Sequence, residues 1–191
     1  MQTFSILERH IENWQATALE REQVLAAARY AVLSHRQTQH FYGEEPYEFH
    51  LLMVFEYAFQ CLDMVERQLQ GSVLCAAWTH DLIEDCRQTY GDIAAQCGEQ
   101  VAQITYALTQ EKGRTRSERA GVGYYAGIRQ TEGATFVKLC DRLANVAYSY
   151  QKNKKRLHTY QKEQPFFKSQ LFIEPLYLPL WGAIDHLLST P

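Results

Sequence analysis

Apolar residues recur along this chain at three- and four-residue spacing, the period of an amphipathic helix. Val24, Ala27, Ala28, Ala31 and Val32 mark one such stripe, in a stretch free of proline and glycine. Residues 51–69 carry a second, opening soon after Pro46, which suits a boundary between loop and helix. Residues 73–85 form a third, apolar enough to predict burial. Thr89 and Asp92 have the spacing of a capping box, so a short helix is predicted to open there and to stop at Gly98. Residues 101–108, 119–129, 136–150 and 157–172 continue the helical pattern, and a last amphipathic segment spans 178–188. Strand-type alternation is essentially missing, as are internal repeats and low-complexity tracts. The pattern predicts an all-α fold.

Length and composition narrow this further. With 191 residues, the chain is long enough for one domain with a sizeable core and short for two. The most apolar run, 73–78, is broken by Thr79, His80 and Asp81, so no membrane span is expected. The opening MQTFSILERHIENW has charges where a signal peptide needs its apolar stretch, and a cytoplasmic location is expected. Cys61, Cys75, Cys86, Cys97 and Cys140 are scattered, odd in number and without a C-x-x-C pair, which reads as reduced packing thiols. The net charge of −3 argues against a general nucleic-acid binder. Two basic stretches, 112–119 and 152–156, read first as solvated faces, with contact to a phosphorylated substrate as the alternative. Apolar and aromatic residues between Phe166 and Trp181 either close the core, the commoner outcome, or form a partner surface; a homo-oligomer stays open.

Polar groups inside apolar helices need a reason, because burying them unpaired is costly. Three places stand out. In 78–85, His80, Asp81, Glu84 and Asp85 interrupt a helix otherwise built of Val, Leu, Cys, Ala and Trp. Asp141 is set in the apolar stretch FVKLCDRLAN, 136–145, and His50 follows the segment GEEPY, 43–47. Neighbouring helix residues point about 100° apart, so His80 and Asp81 can both lean toward one point. Two histidines and two aspartates would suit manganese, iron, cobalt or zinc better than calcium, and would leave positions open for water and a substrate oxygen. Glu84 and Asp85 lie one turn further on and flank the same point. Taken singly, each has a plain reading: a helix-surface His-Asp pair, a histidine at a helix start, an aspartate paired with Arg142.

Together and in order they resemble a known family. GEEPYEFH (43–50), HDLIED (80–85) and VKLCDRLANV (137–146) are similar to the motifs of the hydrolase domain of RelA/SpoT-type enzymes and of the small alarmone hydrolases, within the HD superfamily. The resemblance covers about residues 24–167, with one extra residue between Gly43 and Pro46. It implies an all-helical HD bundle, with the C-terminal helix packing on that core. It also implies one divalent ion, manganese in the family, on His50, His80, Asp81 and Asp141, with Glu84 and Asp85 in catalysis. Tyr47, Lys138, Asn145, Arg156 and Tyr160 are the implied substrate contacts. The implied reaction is hydrolysis of a phosphate or pyrophosphate ester on a nucleotide, guanosine 3′,5′-bis(diphosphate) foremost. A nucleotidase acting on mononucleotides or NADPH, and a non-catalytic nucleotide-binding module, are the competing readings. One departure bears on substrate: where family members carry Arg or Arg-Lys before the Pro-Tyr segment, this chain has Gln39 and His40, and Arg36 lies earlier.

Overall fold

The periodicity seen in the sequence becomes a helical bundle in a computed structural model that describes residues 2–110 and 113–189. The helices are α1 (Gln2–Glu12), α2 (Ala18–Gln37), α3 (Glu48–Gln60), α4 (Gln70–Thr79), α5 (Leu82–Asp85), α6 (Tyr90–Cys97), α7 (Glu99–Leu108), α8 (Arg116–Arg119), α9 (Val122–Gln130), α10 (Ala134–Lys152), α11 (Lys154–Leu171) and α12 (Leu178–Ser189). The capping box at Thr89 and Asp92 opens α6 as expected, and Gly98, at φ +91°, ends it. A second box, Thr17 with Glu20, opens α2. Arg67 holds that Glu20 through two bonds of 2.6 and 2.8 Å, and its guanidinium helps draw the carboxyl down to about 2.

The elements differ from the predicted ones in five places. The segment 51–69 is not one helix: α3 ends at Gln60, and two 3₁₀ turns, Leu62–Met64 and Arg67–Leu69, follow. Leu62, Val65 and Leu69 still point inward through those turns, so a helix-like spacing persists where the helix has stopped. The segment 73–85 breaks between α4 and α5, because Asp81 adopts φ −103° and ψ 2°, outside helical values. Gly121, extended at φ −82° and ψ −176°, separates α8 from α9 within 119–129. A short hairpin pairs β1 (Phe41–Tyr42) with β2 (Glu45–Pro46) in antiparallel register, Phe41 opposite Pro46. Strands of two residues are too short to show alternation. Helix α1, absent from the periodic reading, buries Leu7 and Ile11.

Helix α10 is the central element and packs against α3, α4, α11 and α12. It buries Phe136, Val137, Leu139, Cys140, Leu143, Ala144 and Val146, while Phe55 and Trp78 meet at 5.5 Å across α3 and α4. The C-terminal aromatics divide. Phe167, Leu171, Leu180 and Trp181 close the core, whereas Phe166, Phe172, Leu176 and Leu178 remain exposed. All five cysteines are free thiols. Among the described residues, no helix is long and apolar enough to cross a membrane.

The start of α10 depends on Gly133. It sits at φ +82°, and a Cβ there would lie 2.8 Å from Val73 Cγ1 and 3.2 Å from Ile104 Cδ1. Those neighbours belong to the packed core, so they yield only with strain. Gly133→Ala is expected to lower stability by about 1–3 kcal/mol, the usual cost of overpacking. A urea melt checks this, and an unchanged midpoint would refute the packing argument.

Candidate metal centre

Three helices deliver the polar cluster to one point. His50 lies in the first turn of α3, His80 follows the last residue of α4, Asp81 sits in the break after it, and Asp141 comes from the middle of α10. Both imidazoles are buried, with His50 1 % and His80 2 % exposed. Ligand atoms of His50, His80 and Asp141 all lie within 4.8 Å of one another. His50 Nε2 is 3.3 Å from His80 Nε2 and 3.3 Å from Asp141 Oδ1. Asp81 Oδ2 stands 2.9 Å from His80 Nε2 and 3.8 Å from His50 Nε2. Donor atoms at about 2.1 Å from a shared ion are about 3.0–3.5 Å apart, so the 3.3 Å spacings of His50 to His80 and to Asp141 suit one small divalent cation.

The protonation pattern fits it as well. His80 Nδ1 meets the Ala77 carbonyl at 3.0 Å. Because a carbonyl only accepts, this puts a proton on Nδ1 and leaves Nε2 facing the carboxylates. Burial disfavours the charged ring, but Asp81 and Asp141 outweigh it and push His80 up to about 9. A proton held so firmly between carboxylates occupies the place a cation would take. Burial also works against the Asp141 carboxylate, yet Lys138, bonded at 2.9 Å, and the two histidines hold it well below the usual range. Asp81 is lowered likewise against its burial, chiefly by His80, and it accepts a hydrogen bond from the Tyr47 hydroxyl. Asp85 goes the other way. Its partial burial and the nearby charges of Asp81 and Glu84 raise it to about 7.

The cluster forms part of the wall of a cavity of about 770 Å³, large enough for a nucleotide. No protein-family model matches the chain. A human protein named guanosine-3′,5′-bis(diphosphate) 3′-pyrophosphohydrolase MESH1 is 30 % identical over 131 residues, which span 66 % of this chain and 69 % of that protein. The chain belongs to the MESH1 family. The Mus musculus member is also 30 % identical over 131 residues, and the Xenopus tropicalis member 30 % over 124, spanning 67 % of its length. In three dimensions the chain is similar to a solved protein described as a metazoan ortholog of SpoT that hydrolyzes ppGpp. That match has a TM-score of 0.70 at 21 % identity and covers 91 % of this chain and 96 % of the other, so it bears on the fold.

Within this MESH1-family framework the expected substrate contacts Tyr47, Lys138, Asn145, Arg156 and Tyr160 all line the cavity beside the cluster. Asn145 Nδ2 donates to the Asp141 carbonyl at 3.0 Å and also to its carboxylate. Asn145 Oδ1 accepts from Tyr42 Oη at 3.0 Å and Tyr160 Oη at 3.3 Å. Arg156 Nε donates to Tyr160 Oη at 3.1 Å, so one chain of bonds runs from Arg156 to Asp141. Lys138 pairs with Asp141, and Tyr47 with Asp81. Glu84 is exposed at the cavity edge, 3.3 Å from the Gln110 N–H. Of the two basic stretches, Arg119 and Arg156 line the cavity, while Lys112 lies outside the described residues.

Two residues at this site were not among the expected contacts: Tyr42 carried no sequence signal, and His40 was marked only as a departure from the family's Arg or Arg-Lys. Tyr42 lies flat against His50, with rings 4.6 Å apart and 19° from parallel. His40 is stacked 4.0 Å from Tyr47 and reaches to 3.6 Å from Asp85. Both ride on the hairpin or its approach, whose position no periodicity marks. Arg36, the cation nearest this loop in sequence, is held by Glu48 through two bonds of 2.8 Å and does not line the cavity.

Proposed function

We propose that this chain is a cytoplasmic, metal-dependent pyrophosphohydrolase acting on guanosine 3′,5′-bis(diphosphate), with one manganese ion on His50, His80, Asp81 and Asp141. The observation that carries the reading is the convergence of the buried His50, His80 and Asp141, with Asp81 2.9 Å from His80, at a nucleotide-sized cavity that His50, Asp81 and Asp141 line. The names of the relatives support the substrate, and the free thiols support a reducing compartment. In the reaction, a water oxygen bonds to the phosphorus on the ribose 3′-oxygen and the bond from phosphorus to that oxygen breaks. The 3′-oxygen takes up a proton, and GDP and pyrophosphate leave.

A divalent ion, when bound, supplies an acidified water and a polarised phosphoryl oxygen. The chain supplies the rest. Asp85, raised to about 7, is suited to take the proton of the attacking water near neutral pH. Glu84, at the cavity edge, is placed to orient that water or the departing oxygen. Arg119, Arg156 and Lys162 line the cavity and bring positive charge to the phosphates. Asn145 and Tyr47 fix the Asp141 and Asp81 carboxylates, and Lys138 shares its charge between Asp141 and the cavity.

A substrate screen with the manganese-loaded protein tests the assignment. Guanosine 3′,5′-bis(diphosphate) is expected to give the highest kcat/KM, ahead of NADPH and mononucleotides, with GDP and pyrophosphate in equal amounts. Turnover of NADPH or a mononucleotide alone would move the chain to the nucleotidases.

A further inference from the structure

The two histidines of the cluster are held in unlike ways. His80 has its Nδ1 on the Ala77 carbonyl at 3.0 Å, and a bond of that kind is what ordinarily fixes the ring of a metal-binding histidine. His50 lacks it. Its buried Nδ1 meets no hydrogen-bond partner among the described residues, so the direction of its Nε2 depends on how the ring is packed. His80 and Tyr47 meet that ring edge-on, with centroids at 5.3 and 5.4 Å. Tyr42 alone among the described aromatic neighbours lies flat on it, at 4.6 Å and 19° from parallel. Tyr42 is itself well anchored. Its backbone pairs with Glu45 across the hairpin, its hydroxyl donates to Asn145 Oδ1 at 3.0 Å, and its ring packs on Tyr148 at 4.6 Å. Gly43, at φ +63°, turns the hairpin directly after it, where a Cβ would strike the Tyr148 hydroxyl.

We propose that Tyr42 is a positioning residue for the metal centre, whose ring face, in place of a hydrogen bond, sets the orientation of His50 and with it the affinity for the ion. The proposal rests on the metal-site reading above. His50 serves the cluster only while its Nε2 points to His80 and Asp141, each 3.3 Å away. Turning the imidazole about its bond to Cβ swings Nε2 off that point, and a ring pressed flat against another must give up the stack to turn. The task belongs to the ring of Tyr42. Its hydroxyl serves Asn145 instead, on the side of the Asp141 carboxylate.

The test is calorimetric titration of manganese alone, without nucleotide, into the chelator-stripped full chain. The wild type is expected to bind one ion. Tyr42→Leu, which keeps apolar bulk and removes the flat ring, is expected to weaken binding by about 10- to 100-fold, the cost of losing an outer-shell partner, while its circular dichroism matches the wild type. Tyr42→Phe is expected to keep the wild-type affinity, because the stack survives the loss of the hydroxyl. A folded Tyr42→Leu chain that binds manganese as tightly as the wild type overturns the proposal. So does a Tyr42→Phe chain with a tenfold or greater loss, which would shift the task to the hydroxyl and Asn145; should Tyr42→Leu fail to fold, this variant decides alone. Wild-type protein that binds no manganese overturns the metal-site reading, and the proposal with it. Wild-type protein that binds one ion but leaves guanosine 3′,5′-bis(diphosphate) intact overturns the substrate assignment alone.

Discussion

Asp141→Asn is expected to remove hydrolysis of guanosine 3′,5′-bis(diphosphate), with a loss beyond about 100-fold, the upper end of what losing an outer-shell partner costs a metal site. Asp141 carries three tasks at once. Its Oδ1 faces His50 at 3.3 Å, its Oδ2 is the counter-charge of Lys138 at 2.9 Å, and its backbone and carboxylate anchor Asn145. An asparagine keeps the shape but not the charge. Bound ion is therefore expected to fall from one per chain to none, and Lys138 is left largely buried without its partner. Stranding a buried charge costs about 3–5 kcal/mol, so the melting temperature should fall too. Elemental analysis and circular dichroism separate the two effects. A folded variant that still binds one ion and still turns over would show that Asp141 is not a ligand.

Asp85→Asn should be the second largest loss, about 10²- to 10⁴-fold in kcat, as for removal of a general acid or base. Because Asp85 is not among the four proposed ligands, ion content and melting temperature should hold. The pH dependence gives the role. In the metal-free chain the carboxyl is raised to about 7 by its burial and by Asp81 and Glu84, and a bound cation beside Asp81 draws it back down. The loaded wild type should therefore gain activity as pH rises through a limb below about 7, where Asp85 becomes able to accept a proton. The variant should lack that limb. A rate that falls with pH through it would make Asp85 the acid that protonates the departing oxygen, and an unchanged profile would remove it from proton transfer. Glu84→Gln, at an exposed position, should cost less than Asp85→Asn.

Much of this was legible from the chain, because two kinds of signal are local. Helices that bury one face repeat their apolar residues, and α2, α7, α10, α11 and α12 lie where the periodicity put them, while α6 lies where its capping box did. Ionisable groups inside apolar stretches marked His80, Asp81 and Asp141 as needing a partner, and their order with His50 supplied the resemblance. The misses have a shared physical cause. The bend at Asp81 has no glycine or proline to announce it, and the residue's long-range partner there, the Tyr47 hydroxyl, comes from a distant part of the chain. Arg36 could not be excluded from the site by spacing, since its partner Glu48 is twelve residues away. Tyr42 and His40 matter through ring stacking on His50 and Tyr47, a tertiary contact that leaves no pattern in one sequence. In the same way, Leu62, Val65 and Leu69 kept a helical spacing through turns that are not α-helix.

The central claim is that one divalent ion on this His/Asp cluster drives removal of pyrophosphate from the guanosine nucleotide. It is tested most directly by stripping the purified full chain with a chelator and following the phosphorus NMR of guanosine 3′,5′-bis(diphosphate) before and after manganese is returned. The account predicts a folded, inactive apo-protein that binds one ion per chain and then releases GDP and pyrophosphate in equal amounts. Hydrolysis that survives in the stripped protein, or a loaded protein that leaves the nucleotide intact, would contradict it.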